Sequence, residues 1–231
     1  MALHRKVDAL MQLRPDIAVI SECANPDVLA RRGAGQLADA QVIWTGLNPN
    51  KGLGVFAFNG FEIARHAPFY PTLRHILPVH ITGPRQFSLL AVWAQNASAG
   101  VTRKHQLGPL RRALTKYRNF LSEPAIIGGD WNNNAIWDRP GWRINHMTKV
   151  KLLEKLDFVS VYHALRSEEH GQETTPTLYW RDRTRDGPTY HIDYVFAPKS
   201  WLPSVTEFEV GTFEGWIETG LSDHVPLTVA F

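Results

Sequence analysis

Cysteine is nearly absent from this 231-residue chain; Cys23 is the single one. One thiol can build neither an internal disulfide framework nor a cysteine-rich zinc site. Long hydrophobic runs are missing too, and none approaches the roughly 18 residues of a membrane-spanning helix. A secretory leader is not visible, because His4, Arg5, Lys6 and Asp8 fall inside a helical repeat. Reducing cytoplasm is therefore the simplest compartment. Repeats, low-complexity tracts and a dividing linker are lacking, so residues 1–231 read as one domain. Histidines clustered in zinc-ligand spacing are lacking as well. Charge of one sign is barely in excess, at a formal net +3, which suits a polyanionic partner without demanding one.

What is present is the composition of an ordinary globular protein, 44% hydrophobic and 20% charged. Leu3, Val7, Leu10 and Met11 follow the helical period and predict a helix over about 2–13. Arg14-Pro15 stops it. The apolar run DIAVIS predicts a buried strand. Short strands follow at QVIWTG, GLGVFAF, FEIARH, RHILPVHI and FSLLAVWA. No helix separates the second to fourth of these, so they are expected to be antiparallel neighbours. A long basic helix is expected over about 103–121, then the strand AIIG and a helix at about 147–156. TLYWRD, YHIDYVFAP, TEFEVG and VPLTVAF read as the remaining strands. Many short strands with few helices predict an α/β fold of mixed sheets with helices outside.

Four acids punctuate these strands. Glu22 closes IAVIS, Asp130 closes AIIGG, Asp193 lies in YHIDYVF, and Asp223 precedes the last strand in LSDHVPL. Carboxylates gathered at strand ends would repel one another unless a cation neutralised them. Hard oxygen donors, with Asn132 two residues after Asp130, suit Mg²⁺ or Mn²⁺. His224 follows Asp223 directly and is a candidate base, with Asp193 to hold its imidazole in one tautomer. Taken singly, each acid also reads as a turn or capping residue and the histidine as a solvated one. Spacing alone names no reaction.

The motifs AVISE, GGDWNN, HIDYVFAP and LSDHVPL, in this order, resemble the endonuclease/exonuclease/phosphatase superfamily. NKGLGVF and TLYWRD are similar to two further segments of its pattern, and the resemblance spans residues 3–231. It implies a four-layer α/β sandwich and a divalent-metal phosphodiesterase or phosphomonoesterase. It implies that Glu22 is the principal metal ligand, with Asp223 a further metal-site acid. Asp130 would position or deprotonate the attacking water, and Asn132 would bind the phosphate. His224, oriented by Asp193, would contact the scissile phosphate. Asn96 matches a phosphate-contacting Asn, while Trp93 stands where members place a Tyr or His. Indole donates a hydrogen bond but cannot transfer a proton; core packing is the other reading of Trp93. The family's pattern also begins with a strand ending in Asn, ahead of the first helix. This chain begins at that helix, and the expectation is that Met1 is an internal start. Mass spectrometry finding the native N-terminus at Met1 or Ala2 would sink that expectation.

Arg103, Lys104, Arg111, Arg112, Lys116 and Arg118 make the 103–121 segment basic, and Arg181, Arg183 and Arg185 adjoin Tyr179 and Trp180. Basic groups interleaved with aromatics suit a nucleic-acid backbone and unstacked bases, with Trp180 and Arg181 bordering the cleft. A nuclease leads on this reading. A phosphatase of inositol phosphates or other small phosphoesters is the alternative. A catalytically impaired module that only binds nucleic acid or protein is the third.

Overall fold

The computed structural model describes residues 3–98, 101, 106–181 and 183–231. Its contacts divide the chain into two compact units, residues 1–93 with 113–129, and residues 94–112 with 130–231. No helix among the described residues is long and apolar enough to cross a membrane.

In the first unit a 3-10 turn, Leu3–Arg5, leads into helix α1, Val7–Gln12, which is shorter than the sequence predicts. Strand β1 is Ile17–Cys23 and helix α2 is Pro26–Arg31. Asn25 caps α2 by accepting from the Val28 amide at 2.9 Å, and Pro26 fits the first turn, where no N–H is needed. Strands β2, Gln41–Asn48, and β3, Lys51–Ala57, form an antiparallel hairpin. With β1 they make a three-stranded sheet ordered β1-β3-β2. Strands β4, Glu62–Arg65, β5, Ile76–Thr82, and β6, Phe87–Trp93, follow. They pair antiparallel in order, so β3 and β4 are not the neighbours the sequence suggests; β4 belongs to another sheet.

Period-two alternation places this unit's two cores. Ile17 and Val19 of β1, with Leu53 and Val55 of β3, pack on Leu77, Val79, Ile81, Leu89, Ala91 and Trp93. Ala18, Ile20 and Phe56 point the other way, onto Val7, Leu10, Val28 and Leu29 of the two helices. Each fully buried aliphatic side chain is worth about 1.5–3 kcal/mol.

Helix α3 is Pro109–Lys116, not 103–121, because Pro109 takes the first helical turn. Arg103 and Lys104 lie outside the described residues. Strand β7 is Ala125–Asp130. Gly129, at φ +132, packs so closely that a Cβ would lie 2.1 Å from the Val92 carbonyl oxygen, which explains the glycine before Asp130.

The second unit continues with helix α4, His146–Glu154, strand β8, Phe158–Ser160, and helix α5, Val161–Arg166. Strands β9, Leu178–Tyr179, and β10, Thr189–Tyr190, form a short hairpin. Strand β11, Asp193–Pro198, pairs antiparallel with β8, while β12, Glu207–Val210, pairs with β13, Leu227–Ala230. Buried residues 146, 149, 150 and 153 line one face of α4. One of them is a lysine. Lys149 is 4% exposed and donates to the Ile144 and Asn145 carbonyls at 3.0 and 3.1 Å. Burial drives its pKa down to about 8 from 10.5, against the pull of Asp138. The unfolded chain therefore binds the proton more tightly than the fold. Stability should rise between about pH 8 and 10.5, by roughly 3 kcal/mol from this group. Urea unfolding of wild type and Lys149→Met across that range should show their difference shifting by this amount in favour of wild type. A constant difference would refute it.

Candidate active site

Glu22 sits on a β-bulge. The β1–β3 register runs from Ser21↔Leu53 to Cys23↔Gly52, leaving Glu22 as the extra residue, at φ +56. Bulges re-aim a side chain out of the alternation. Here the bulge leaves the carboxylate 40% exposed near the end of a strand whose other residues are buried or half-buried. Gly52 is part of the device. A Cβ there would meet the Trp44 ring at 2.3 Å, and Trp44 Nε1 donates to the Cys23 carbonyl at 3.1 Å. Lys51 Nζ lies 2.9 Å from Glu22 Oε1. Burial is the largest single influence and opposes the charge on Glu22, but the cationic partners together, with the hydrogen bond and charge of Lys51 among them, outweigh it and hold the pKa below the usual range. Glu22 is thus an ionised oxygen donor already carrying a cation, which is the chemistry of a Mg²⁺ or Mn²⁺ ligand.

Trp93 is a core residue, contrary to a substrate-binding role. It is 3% exposed, its ring 4.6 Å from His75 and with Lys51 Nζ 5.6 Å from its centroid. Alternation along β6 puts it on the same inward face as Leu89 and Ala91.

In the second unit four predicted residues come together. His224 Nδ1 bonds Asp193 Oδ2 at 2.8 Å. Burial disfavours the imidazolium, but Asp193, then Asp130 and Asp223, push its pKa up to about 9. The ring is therefore a cation at neutral pH. In that form it can stabilise negative charge or donate a proton.

Asp130 is 4% exposed, and both of its oxygens accept from Asn132, from the backbone N–H at 2.8 Å and from Nδ2 at 2.6 Å. A carboxylate accepts only, so the NH₂ of Asn132 must face it. One N–H of the Asn132 amide is thus spent on positioning Asp130, and its second N–H is the one a phosphate contact would use. Asn96, which is exposed, has the opposite polarity. Its Oδ1 accepts from the Ser98 N–H and hydroxyl, each at 3.0 Å, leaving the NH₂ as its remaining group. That is the end a phosphate needs. Asp223 Oδ2 lies 3.7 Å from Arg183 Nη2.

Thr177, the first residue of the TLYWRD segment, organises this site, a role that the segment's resemblance to the family pattern does not name. It is fully buried, and its Oγ1 accepts the Ile192 and Asp193 amides at 2.9 and 3.1 Å. Its carbonyl accepts the Val225 amide at 2.9 Å, and Tyr179 N–H donates to the Asp223 carbonyl at 2.8 Å. One segment, 177–179, thus fixes both ends of the Asp193–His224 pair.

The loop that follows displays aromatic and basic groups. Trp180 is 43% exposed, and the Arg181 guanidinium lies over its ring at 4.1 Å. Trp180 is 6.1 Å from Tyr190, which is 4.9 Å from the exposed Trp137. Trp142, also exposed, carries Arg139 at 4.7 Å.

The absence of clustered histidines does not survive folding. His163, His170 and Glu173, separated in sequence, meet in this unit, with ligand atoms within 4.8 Å of one another. Burial, then repulsion from His163, lowers the His170 pKa to about 3. Glu173 falls to about 2, because hydrogen bonds from His163, Asn134 and Gly171 outweigh its burial.

The model of the Endonuclease/Exonuclease/phosphatase family matches residues 4–224. No curated protein sequence matches the chain. Among solved structures it is similar to an AP endonuclease, LMAP, from Leishmania major, at TM-score 0.67 and 13% identity over 96% of this chain and 80% of that one. It is also similar to the 3′-5′ exonuclease NExo from Neisseria meningitidis, at 0.66 and 14% over 100% and 96%. The endonuclease domain of TRAS1, a telomere-specific non-LTR retrotransposon, matches at 0.64 and 15% over 97% and 89%. The fold they share is the four-layer α/β sandwich with two mixed sheets.

Proposed function

The chain belongs to the endonuclease/exonuclease/phosphatase family of phosphoester hydrolases, and we propose that it is a divalent-metal-dependent nuclease cleaving nucleic-acid phosphodiesters. The Asp193–His224 pair beside Asp130 and Asp223 supports the hydrolytic reading. In this reading Glu22 holds the cation, with Asp223 a further acid for it. When bound, Mg²⁺ or Mn²⁺ supplies Lewis-acid stabilisation of the phosphoryl oxygens. Asp130, locked by Asn132, orients or deprotonates the water that attacks in line. His224, kept protonated and oriented by Asp193, neutralises charge developing on the phosphoryl group. The NH₂ of Asn96 donates to a phosphate oxygen.

The observation that favours nucleic acid over inositol phosphates is the aromatic row Trp137–Tyr190–Trp180 with Arg181 stacked on its end. Unstacked bases pack on such a row, and each base–aromatic contact is worth about 1–3 kcal/mol. Offered plain duplex, abasic duplex, single-stranded DNA, RNA and inositol phosphates in parallel, the protein should prefer the polynucleotides. Trp137→Ala and Trp180→Ala should each weaken single-stranded DNA binding by roughly 5- to 100-fold. A small diester, too short to span the row, should suffer a smaller loss. Preference for inositol phosphates would overturn the substrate assignment. Binding without turnover of any phosphoester would favour a non-catalytic module.

A further inference from the structure

The buried polar cluster of the second unit has no part in the hydrolysis proposed above. Four imidazoles, those of His146, His163, His170 and His191, pack around Tyr162, Tyr194 and Glu173. The His163 and His170 rings stack with centroids 3.6 Å apart. Polar groups gathered this densely in a core are costly unless every one is partnered. Yet His146 Nδ1 and His191 Nε2 are buried with no hydrogen-bond partner among the described residues, in side chains 0% and 4% exposed.

We propose that His163, His170 and Glu173 form a second metal site, a His₂Glu centre for a zinc-type transition-metal ion, separate from the magnesium-type ligand Glu22. Three observations carry it. The ligand atoms lie within 4.8 Å of one another. A tetrahedral ion with bonds of about 2.1 Å needs its ligands about 3.4 Å apart and must lie in the plane of each imidazole, so closing the set takes a shift on the order of an ångström and a turn of the stacked His163 and His170 rings toward a common point. The donor set, two imidazoles and a carboxylate, suits zinc-type ions, whereas Mg²⁺ prefers oxygen alone.

Each ligand, finally, already has the outer partner that metal ligands need. His163 Nδ1 is 2.7 Å from Ser160 Oγ, a hydroxyl that serves either tautomer. His170 Nδ1 is 3.1 Å from His146 Nε2. Glu173 Oε2 accepts from the Gly171 amide at 2.9 Å and from Asn134 Nδ2 at 3.0 Å. Its other oxygen, Oε1, meets His163 Nε2 at 3.0 Å, and an ion would replace the proton in that contact. The ligands come from α5 and the loop after it, where Gly171 turns at φ +91. The ion would therefore staple that loop to its helix.

Co²⁺ is the probe, titrated into untagged, chelator-stripped full-length protein. Visible d–d bands of nitrogen-ligated Co²⁺ should saturate at one equivalent in wild type and in Glu22→Gln, and persist in excess Mg²⁺. His170→Asn and Glu173→Gln should weaken this binding by at least about 100-fold, and Ser160→Ala by about 10- to 100-fold. Zn²⁺ should raise the unfolding midpoint of wild type but not of His170→Asn. The proposal fails if wild type shows no stoichiometric Co²⁺ bands. It fails equally if the bands vanish with Glu22→Gln yet survive His170→Asn and Glu173→Gln. An absence of wild-type bands overturns the proposal even where a variant does not fold.

Discussion

Replacing His224 with alanine is expected to lower kcat/KM for phosphodiester cleavage by about 10³-fold, on the order of 4 kcal/mol of transition-state stabilisation. Asp193→Asn keeps the size of the partner but removes its charge, and should lower kcat/KM by at least about 10²-fold. The pH profile separates a chemical role from a structural one. Asp193 is the largest of the influences that raise the His224 pKa to about 9. An imidazolium needed for turnover is present below that value, so wild-type activity should decline as pH rises through about 9. In Asp193→Asn the same decline should begin at lower pH. The stability contributed by the ion pair follows the same sign: it is full below the ordinary histidine value of 6.5 and lost as pH rises through about 9. A profile unmoved by Asp193→Asn would show that His224 does not act as a cation.

The sequence motifs name both members of this pair and suggest that Asp193 holds His224, but not what brings them together. HIDYVFAP and LSDHVPL announce an acid and a histidine, but their contact depends on Thr177, which accepts two amides from beneath Asp193. A threonine acting through backbone hydrogen bonds has no hydropathy signature. The same limit explains the histidine cluster. Residues 146, 163, 170, 173 and 191 come from α4, α5 and two loops, and no sequence spacing joins them. Trp93 is the converse case. Its inward face follows from the alternation Leu89, Ala91, Trp93, whereas the resemblance alone places it at a substrate-contacting position. Arg111, Arg112 and Lys116 do fall on a helix, yet Pro109 confines it to two turns, which charge counting could not show.

Glu22 carries the second large effect. The run DIAVISE told where the acid lies but not how it escapes the pleat, because a bulge is a property of the partner strand's register. A non-glycine residue at φ +56 costs about 1–2 kcal/mol relative to ordinary backbone. That strain is understandable if the carboxylate's position serves chemistry. Glu22→Gln should therefore lower Mg²⁺-dependent turnover by at least about 10³-fold, as should chelation of the wild type with EDTA. Mg²⁺ added back should restore wild type and not the variant. Stability should move in neither direction by much. The Lys51–Glu22 pair joins side chains 50% and 40% exposed, and such surface pairs contribute about 0–1 kcal/mol. Glu22→Gly sharpens the contrast, since it abolishes the ligand while removing the left-handed penalty. Its unfolding midpoint should match or exceed that of wild type as its turnover disappears. A Glu22→Gly protein that loses stability and activity in parallel would make Glu22 a structural residue. A Glu22→Gln protein that keeps Mg²⁺-dependent turnover would remove it from the metal centre altogether.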